Sequence, residues 1–204
     1  LDAAAEFARA FGETERAAEY AAAALEIREA MGRHLYRPEL GRFARMIAVS
    51  DAGEVTVDRT LDASLAGAFM FGAFAADDPR VVTTMKAVRD GLTCRTPVGG
   101  VARYHGDYYH QVSRDLDSVP GNPWFLCTIW LGMHAVACAG SLSELEPARD
   151  VLRWVEAHKL PSGVLPEQLD PASGAALSVS PLAWSHAALV TLVEEYQRKV
   201  ERLR

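Results

Sequence analysis

The amino-acid sequence predicts an all-α fold, and three observations support that prediction. Nearly every periodic segment repeats its apolar residues at the interval of a helix. Two Ala-rich stretches near the start carry interspersed Glu and Arg, a composition that favours helix. At three points a capping side chain directly precedes a proline, which is typical of the first turn of a helix. About seven helices result, joined by alternately short and long connections, and this rhythm suits an α/α toroid or a helical bundle.

Five of the seven predicted helices have a local reason to begin where they do. Thr14 is the expected cap of the second helix, after a break at Gly12. Three later helices start at Asp78-Pro79, Asn122-Pro123 and Ser180-Pro181, and another starts at the capping box of Ser143 and Glu146. The predicted helices cover residues 1–11, 14–34, 60–74, 79–92, 123–139, 143–158 and 181–203. Between the second and third, β-branched runs around the turn Asp51-Ala52-Gly53 predict two extended segments.

Composition and charge exclude several classes of partner. The 27 acidic residues outnumber the 21 basic ones, and a net charge of -6 argues against nucleic acid and anionic membranes as partners. The longest apolar stretch, residues 124–140, is too short for a membrane span and is interpreted as a buried helix. Cys94, Cys127 and Cys138 form no metal-binding pattern, and no secretory signal opens the chain. We therefore expect buried free thiols, a cytoplasmic location, and no metal or other cofactor.

The two long connections, residues 93–121 and 159–179, carry the candidate chemistry. The first contains the run from Arg103 to His110, in which Arg and Asp alternate with Tyr and His. Aromatic rings stack on sugar faces while Arg and carboxylate groups bind hydroxyls, so this run favours a saccharide site. His105 and His110 are candidates to line such a pocket, whereas His134 and His186 are interpreted as core histidines. The alternative for the run is an exposed hairpin whose charges pair locally.

Glu167 is the candidate catalytic carboxylate of the second connection. It follows Pro166 between apolar residues, where a fixed carboxylate can act as a general base. A single Glu in a loop is more often solvated and without a catalytic role. Asp170, the nearest other carboxylate, precedes a proline and is interpreted as a turn initiator.

Four segments in order along the chain resemble those of the glucoamylase family of glycoside hydrolases, family fifteen. They are Asp62-Ala63-Ser64-Leu65 with Asp77-Asp78-Pro79; Val101 to Tyr104 with Asp107 and then residues 121–128 (GNPWFLCT); Leu165-Pro166-Glu167-Gln168; and Leu182 to Ala187. Each segment alone is a weak signal, but together they cover about residues 60–190 in the order that the family has them.

The resemblance implies a six-fold toroid of helix pairs, of which this chain would supply roughly the second half. It also implies inverting hydrolysis of α-linked glucose units from non-reducing ends, a reaction that uses one carboxyl group as acid and another as base. Glu167 matches the water-activating base. The residues implied to bind the substrate, or to support those that do, are Arg103, Tyr104, Asp107, Trp124, Gln168 and Trp184.

The chain departs from the family in three ways. Gly106 stands where a Glu is frequent, and the segment between Tyr109 and Gly121 is longer than in fungal members. No Glu within residues 1–58 stands in the context of the family's general acid. We therefore expect residues 1–204 to form one unit, the C-terminal portion of a catalytic domain whose upstream half is absent. The isolated chain is expected to be inactive.

Three hypotheses of function follow. The first is an exo-acting glycosidase whose partner is an oligosaccharide or disaccharide, with maltose, isomaltose, dextran and trehalose as alternative substrates. The second is a non-catalytic regulatory or interaction module derived from the toroid. The third is a helical bundle without a ligand. An open half-toroid would also expose apolar helix faces, so self-association is expected.

Overall fold

The computed structural model describes all 204 residues and is predominantly α-helical. The seven α-helices are α1 (Asp2–Ala10), α2 (Thr14–Ala30), α3 (Gly67–Met70), α4 (Pro79–Leu92), α5 (Phe125–Cys138), α6 (Glu146–His158) and α7 (Ala183–Leu203). Short 3₁₀ turns, Ala63–Ala66 and Ser143–Leu145, precede α3 and α6, and the π-helical turn Met31–Leu35 follows α2. The predicted fold class is confirmed.

Helix α5 is the centre of the molecule. It is apolar on nearly all sides and packs against α4, α6 and α7, which agrees with its interpretation as a buried helix. Two clusters of buried side chains meet on it. One lies toward α4 and includes Phe43 and Leu92, and the other lies toward α6 and α7 and includes Phe125 and Leu192. None of the helices combines the length and apolar character needed to cross a bilayer.

Three small antiparallel sheets accompany the helices. Strands β1 (Tyr36–Arg37) and β2 (Arg42–Phe43) form one, and β3 (Met46–Val49) and β4 (Val55–Asp58) form another. The β3–β4 pair confirms the two extended segments predicted around Gly53, which adopts φ 79° in the turn. The third sheet has the order β5 (Val101–Ala102), β6 (Pro123–Trp124), β7 (Gln168–Leu169) and β8 (Ala176–Leu177).

The third sheet joins the two long connections, which the sequence predicted only as loops. Trp124 pairs with Val101 on one side and with Gln168 on the other. These strands are two residues long, too short for a period-two pattern to be recognised in the sequence. β5 lies in the first connection, β6 follows directly after it, and β7 and β8 lie in the second connection. The sheet therefore brings the Arg103 run next to Glu167.

Most of the predicted helix caps are wrong. Asp78 caps α4, with Oδ1 accepting from the Arg80 N–H at 2.8 Å as predicted. Pro123, however, lies in strand β6, and α5 begins at Phe125. The Asn122 side chain does not cap α5, because it donates to the His110 carbonyl and to Gln168 Oε1. No capping side-chain bond is made by Thr14, Ser143 or Ser180: α2 begins directly at Thr14, a 3₁₀ turn precedes α6, and α7 begins at Ala183.

Two further predictions also need correction. The helix predicted over residues 60–74 is reduced to a 3₁₀ turn and the four-residue α3, because the Asp62 carboxylate caps the Ser64 N–H and starts the turn late. Cys94 and Cys127 are buried free thiols as expected, but Cys138, at the end of α5, is exposed.

Candidate active site

A cavity of about 530 Å³ opens between the third sheet and the first turn of α7. The Glu167 side chain lines it together with apolar and aromatic side chains from four parts of the chain. The lining residues are Asp62, Ser64, Arg103, Tyr104, Trp124, Leu126, Cys127, Trp130, Glu167, Leu182 and Trp184. The structure therefore brings five of the seven predicted site residues to one cavity.

The remaining two predicted residues, Asp107 and Gln168, lie behind the cavity wall. Asp107 is buried and accepts both guanidinium hydrogen bonds of Arg103, at 2.8 and 2.9 Å. It also accepts from the Tyr109 N–H at 3.0 Å. A bidentate pair of this kind fixes the plane of the guanidinium, so Arg103 is presented to the cavity in one orientation.

Aromatic rings surround the Arg103 guanidinium. Its central carbon lies 4.6 Å from the Trp124 ring centre, 5.0 Å from that of Tyr104 and 5.4 Å from that of Tyr109. Contacts at these distances are cation–π interactions that hold the charge in place. Burial first, and then the Asp107 carboxylate, raise the pKa of the Tyr104 hydroxyl, so Tyr104 remains a neutral hydrogen-bonding group over an even wider pH range.

Glu167 is fixed through its backbone and remains partly open at its carboxylate. Its N–H donates to the Val179 carbonyl at 2.9 Å, and its own carbonyl accepts from the Phe125 N–H at 3.3 Å. The side chain is half-buried and accepts from Gln168 Nε2 at 3.3 Å. One carboxylate face is thereby held from behind while the other faces the cavity.

The first turn of α7 holds the segment that precedes Glu167. Ser185 is fully buried, and its hydroxyl donates to the Pro166 carbonyl at 3.2 Å. His186 Nε2 accepts from the Leu165 N–H at 3.0 Å, which requires that this ring nitrogen carry no proton. His186 is thus a hydrogen-bonded, half-buried histidine, as predicted from its helix.

The other histidines divide in a similar way. His134 is half-buried, and its Nε2 lies 3.0 Å from the Ala76 carbonyl, which fits its predicted structural role. His105 and His110, the candidates for a pocket lining, are both exposed and lie outside the cavity. The reason is that the loop turns back at Gly106 and His110, both of which adopt positive φ.

Six of the eleven lining residues were not predicted as site residues, and two of them, Asp62 and Trp130, bear on the chemistry of the cavity. Asp62 is a second carboxylate in the lining, but its oxygens are occupied by the Ser64 N–H at 2.8 Å and Arg45 at 3.1 Å. Trp130 lies edge-on to Trp184, with ring centres 5.9 Å apart, and extends the aromatic wall. The apolar period of α5 gave no signal that one of its side chains would face a cavity rather than the core.

A half-buried carboxylate, an ion-paired arginine and several indole rings around one cavity are chemically suited to binding a saccharide. The sequence model described as "Glycosyl hydrolases family 15" matches residues 1–145 and 142–194. The chain belongs to glycosyl hydrolase family 15, and its helices form part of an α/α toroid.

Individual relatives agree with this membership. A glycosyl hydrolase of Methanocaldococcus jannaschii, described as uncharacterized, is 27% identical over 178 residues, covering 82% of this chain and 26% of that protein. A trehalase of Mycolicibacterium smegmatis is 30% identical over 146 residues, covering 71% of this chain and 20% of the trehalase. A Clostridium glucoamylase is 28% identical over 152 residues, covering 72% and 21%. The chain thus spans between 20% and 26% of the length of these three relatives.

Solved structures show the same fold. A bacterial glucoamylase in complex with acarbose superposes with a TM-score of 0.77 at 24% identity, covering 96% of this chain and 31% of the glucoamylase. The glucoamylase of Saccharomycopsis fibuligera gives 0.68 at 13% identity, covering 98% of this chain and 54% of that enzyme.

Proposed function

We propose that this chain carries the water-activating part of the active site of an inverting glycosidase acting on α-linked glucose, with Glu167 as the general base. The observation that carries the proposal is the shared cavity of Glu167, Arg103 and three tryptophans. Arg103 would bind sugar hydroxyls with its orientation fixed by Asp107, and the indole rings would cover the apolar sugar faces.

The proposed reaction needs a second carboxyl group. The ionised Glu167 accepts a proton from a water molecule as that water attacks the anomeric carbon, while an acid protonates the departing oxygen from the other side. Asp62 is not proposed for that role, because its oxygens are held by Arg45 and the Ser64 N–H. We place the acid in a part of the protein outside residues 1–204, and we expect the isolated chain to be inactive.

The substrate class rests on the relatives. One structural neighbour holds acarbose, one similar sequence is a glucoamylase and two are trehalases, so maltose-type glucans and trehalose are the two leading substrates. Hydrolysis of maltose, isomaltose, dextran and trehalose by the complete gene product distinguishes them. A gene product that binds these sugars but cleaves none would instead support a non-catalytic module.

The decisive variant is Glu167→Gln, which keeps the shape of the side chain and removes its basicity. In the complete gene product we expect kcat to fall by about 10²–10⁴, the usual contribution of a general base. Glu156→Gln makes the same change at an exposed position of α6 and is expected to leave kcat unaltered. Equal activity of the two variants would contradict the role assigned to Glu167.

A further inference from the structure

Two buried side-chain amides lie directly behind Glu167. Asn122 and Gln168 are 1% and 0% exposed. They are 46 residues apart in the chain, but their side chains are hydrogen-bonded to each other. Buried amides are costly unless their hydrogen-bonding groups are paired, so a pair kept at this position needs a reason.

The orientation of the Asn122 amide is fixed by two backbone groups that each have a single role. Its Nδ2 lies 2.7 Å from the His110 carbonyl, which can only accept. Its Oδ1 lies 3.4 Å from the Val112 N–H, which can only donate. Rotating the amide by 180° would therefore place donor against donor and acceptor against acceptor.

The orientation of Asn122 in turn fixes that of Gln168. The second Nδ2 hydrogen of Asn122 points at Gln168 Oε1, at 2.9 Å. Because the oxygen end of the Gln168 amide is held there, its Nε2 end faces Glu167 Oε2, at 3.3 Å. The backbone of the Arg103 loop thus determines, through two amides, that Glu167 meets an N–H donor and not a carbonyl oxygen.

We propose that Asn122 and Gln168 form an amide relay that keeps a hydrogen-bond donor on the Glu167 carboxylate and so stabilises its ionised form. The inference rests on the proposed role of Glu167 as base, because an ionised carboxylate is the form that accepts a proton from water. Both amides act on the reaction through Glu167 and are positioning residues.

The other charged groups near Glu167 are already paired, and burial raises the pKa of the Cys127 thiol in the same cavity lining, which keeps that thiol neutral. Arg103 is paired with Asp107, and Asp62 is paired with Arg45. Tyr104 is kept neutral by burial and by Asp107, and His186 accepts from the Leu165 N–H. The relay supplies the one side-chain donor within hydrogen-bonding distance of the Glu167 carboxylate.

The first test uses the unsubstituted 204-residue chain and needs no catalytic activity. In an NMR pH titration, the side-chain N–H resonances of Gln168 are followed together with the carboxyl carbon of Glu167. The relay predicts that the Gln168 N–H signals move with the same midpoint as the Glu167 carboxyl signal. Gln168 N–H chemical shifts that do not change as Glu167 is protonated would overturn the relay.

The second test removes the donor at constant size with Gln168→Met. Without the donor the charged carboxylate is less favoured, so the midpoint of the Glu167 carboxyl titration should lie at higher pH in this variant than in the parent chain. Asn122→Ser, which frees the Gln168 amide to rotate, should give a smaller rise. Gln197→Met makes the same exchange at an exposed position of α7 and should give none. Identical midpoints in Gln168→Met, Gln197→Met and the parent chain would overturn the relay.

Kinetics of the complete gene product separate positioning from general damage to the fold. Gln168→Met should lower kcat several-fold with KM little changed, and should move the acid limb of the kcat profile to higher pH. A change in KM alone, with the acid limb unmoved, would contradict the relay. Failure of Glu167→Gln to reduce kcat would remove the proposed function but leave the NMR result on the relay standing. If Gln168→Met does not fold, the NMR titration of the unsubstituted chain still tests whether the Gln168 amide is coupled to Glu167.

Discussion

Asp107 is the residue on which the orientation of Arg103 depends. It is 1% exposed, whereas the Arg103 side chain is 35% exposed, so the carboxylate forms the floor and the guanidinium faces the cavity. Asp107 also accepts from the Tyr109 N–H, which ties the turn of its own loop to the same carboxylate. One buried side chain thereby serves both the local fold and the presentation of the cation.

Replacing this carboxylate should cost both stability and binding. Asp107→Asn loses the charge and one of the two acceptors for Arg103, so we expect the free energy of unfolding to fall by about 1–3 kcal/mol. On the proposed function, binding of maltose or trehalose by the complete gene product should weaken as well. Asp117→Asn, at an exposed position of the same loop, should stay within about 0.5 kcal/mol of the parent in urea denaturation. Equal stability of the two variants would contradict this account of Asp107.

At the scale of elements, the third sheet depends on a close approach between β5 and α6. Gly100 precedes β5 with φ 79°, and a Cβ atom there would lie 2.5 Å from Trp154 and 2.8 Å from Pro123. Trp154 cannot move away freely, since its Nε1 donates to the Val98 carbonyl at 2.7 Å. Only glycine meets both the backbone and the packing requirement at this position.

Gly100→Ala is therefore expected to destabilise the fold by about 2–4 kcal/mol, through backbone strain and overpacking together. Gly163 provides the matched control, because it has φ 83° and nothing within 4 Å of its virtual Cβ. Gly163→Ala should cost only the strain, about 1–2 kcal/mol. Thermal or urea unfolding of both variants measures the difference, which should vanish if the Trp154 contact is unimportant.

Asp58, the last residue of β4, should make the free energy of unfolding depend on pH in the acid range. The Thr60 N–H first, and then Arg45, lower the pKa of the Asp58 carboxyl to about 2. Since its pKa in the unfolded chain is about 4, the stabilisation by Asp58 is complete above pH 4 and is lost as the pH falls through about 2. The difference in free energy of unfolding between the parent and Asp58→Asn, measured by urea denaturation, should therefore be about half as large at pH 3 as at pH 6. A constant difference between parent and variant would contradict the lowered pKa.

At the scale of the whole molecule, the chain leaves large apolar side chains uncovered. Phe11 and Phe71 are 78% and 82% exposed, and Trp184 is 59% exposed beside a groove between α5 and α7. Exposed apolar surface of this kind favours association. The sequence predicted such a face from the helix count, and self-association remains a prediction.

Light scattering over a range of concentrations tests it. We expect the mass of the chain to rise above 22.2 kDa with concentration, and Phe71→Ser to reduce that rise. Phe71 is exposed, so the substitution should leave the fold and its thermal stability nearly unaltered. A mass of 22.2 kDa at every concentration would show that the apolar faces do not associate.

The predictability of the site followed the distance in sequence between its partners. Arg103 and Asp107 are four residues apart in one run of the sequence, which predicts both as site residues, and the structure pairs them. Asn122 was instead interpreted as a helix cap, because its partner Gln168 is 46 residues away and nothing local to Asn122-Pro123 indicates that contact. The caps predicted at Thr14, Ser143 and Ser180 are also absent, because none of these side chains bonds the first turn of its helix.

By itself the sequence determined the helical class, the acidic charge, the family and the identity of the candidate base, because composition, period and ordered motifs are local properties of the chain. Only the tertiary structure decided that four two-residue strands join the long connections, that Asp62 is held by Arg45 and that two amides lie behind Glu167. Those features depend on hydrogen bonds and packing between segments tens of residues apart, which local patterns of sequence do not encode.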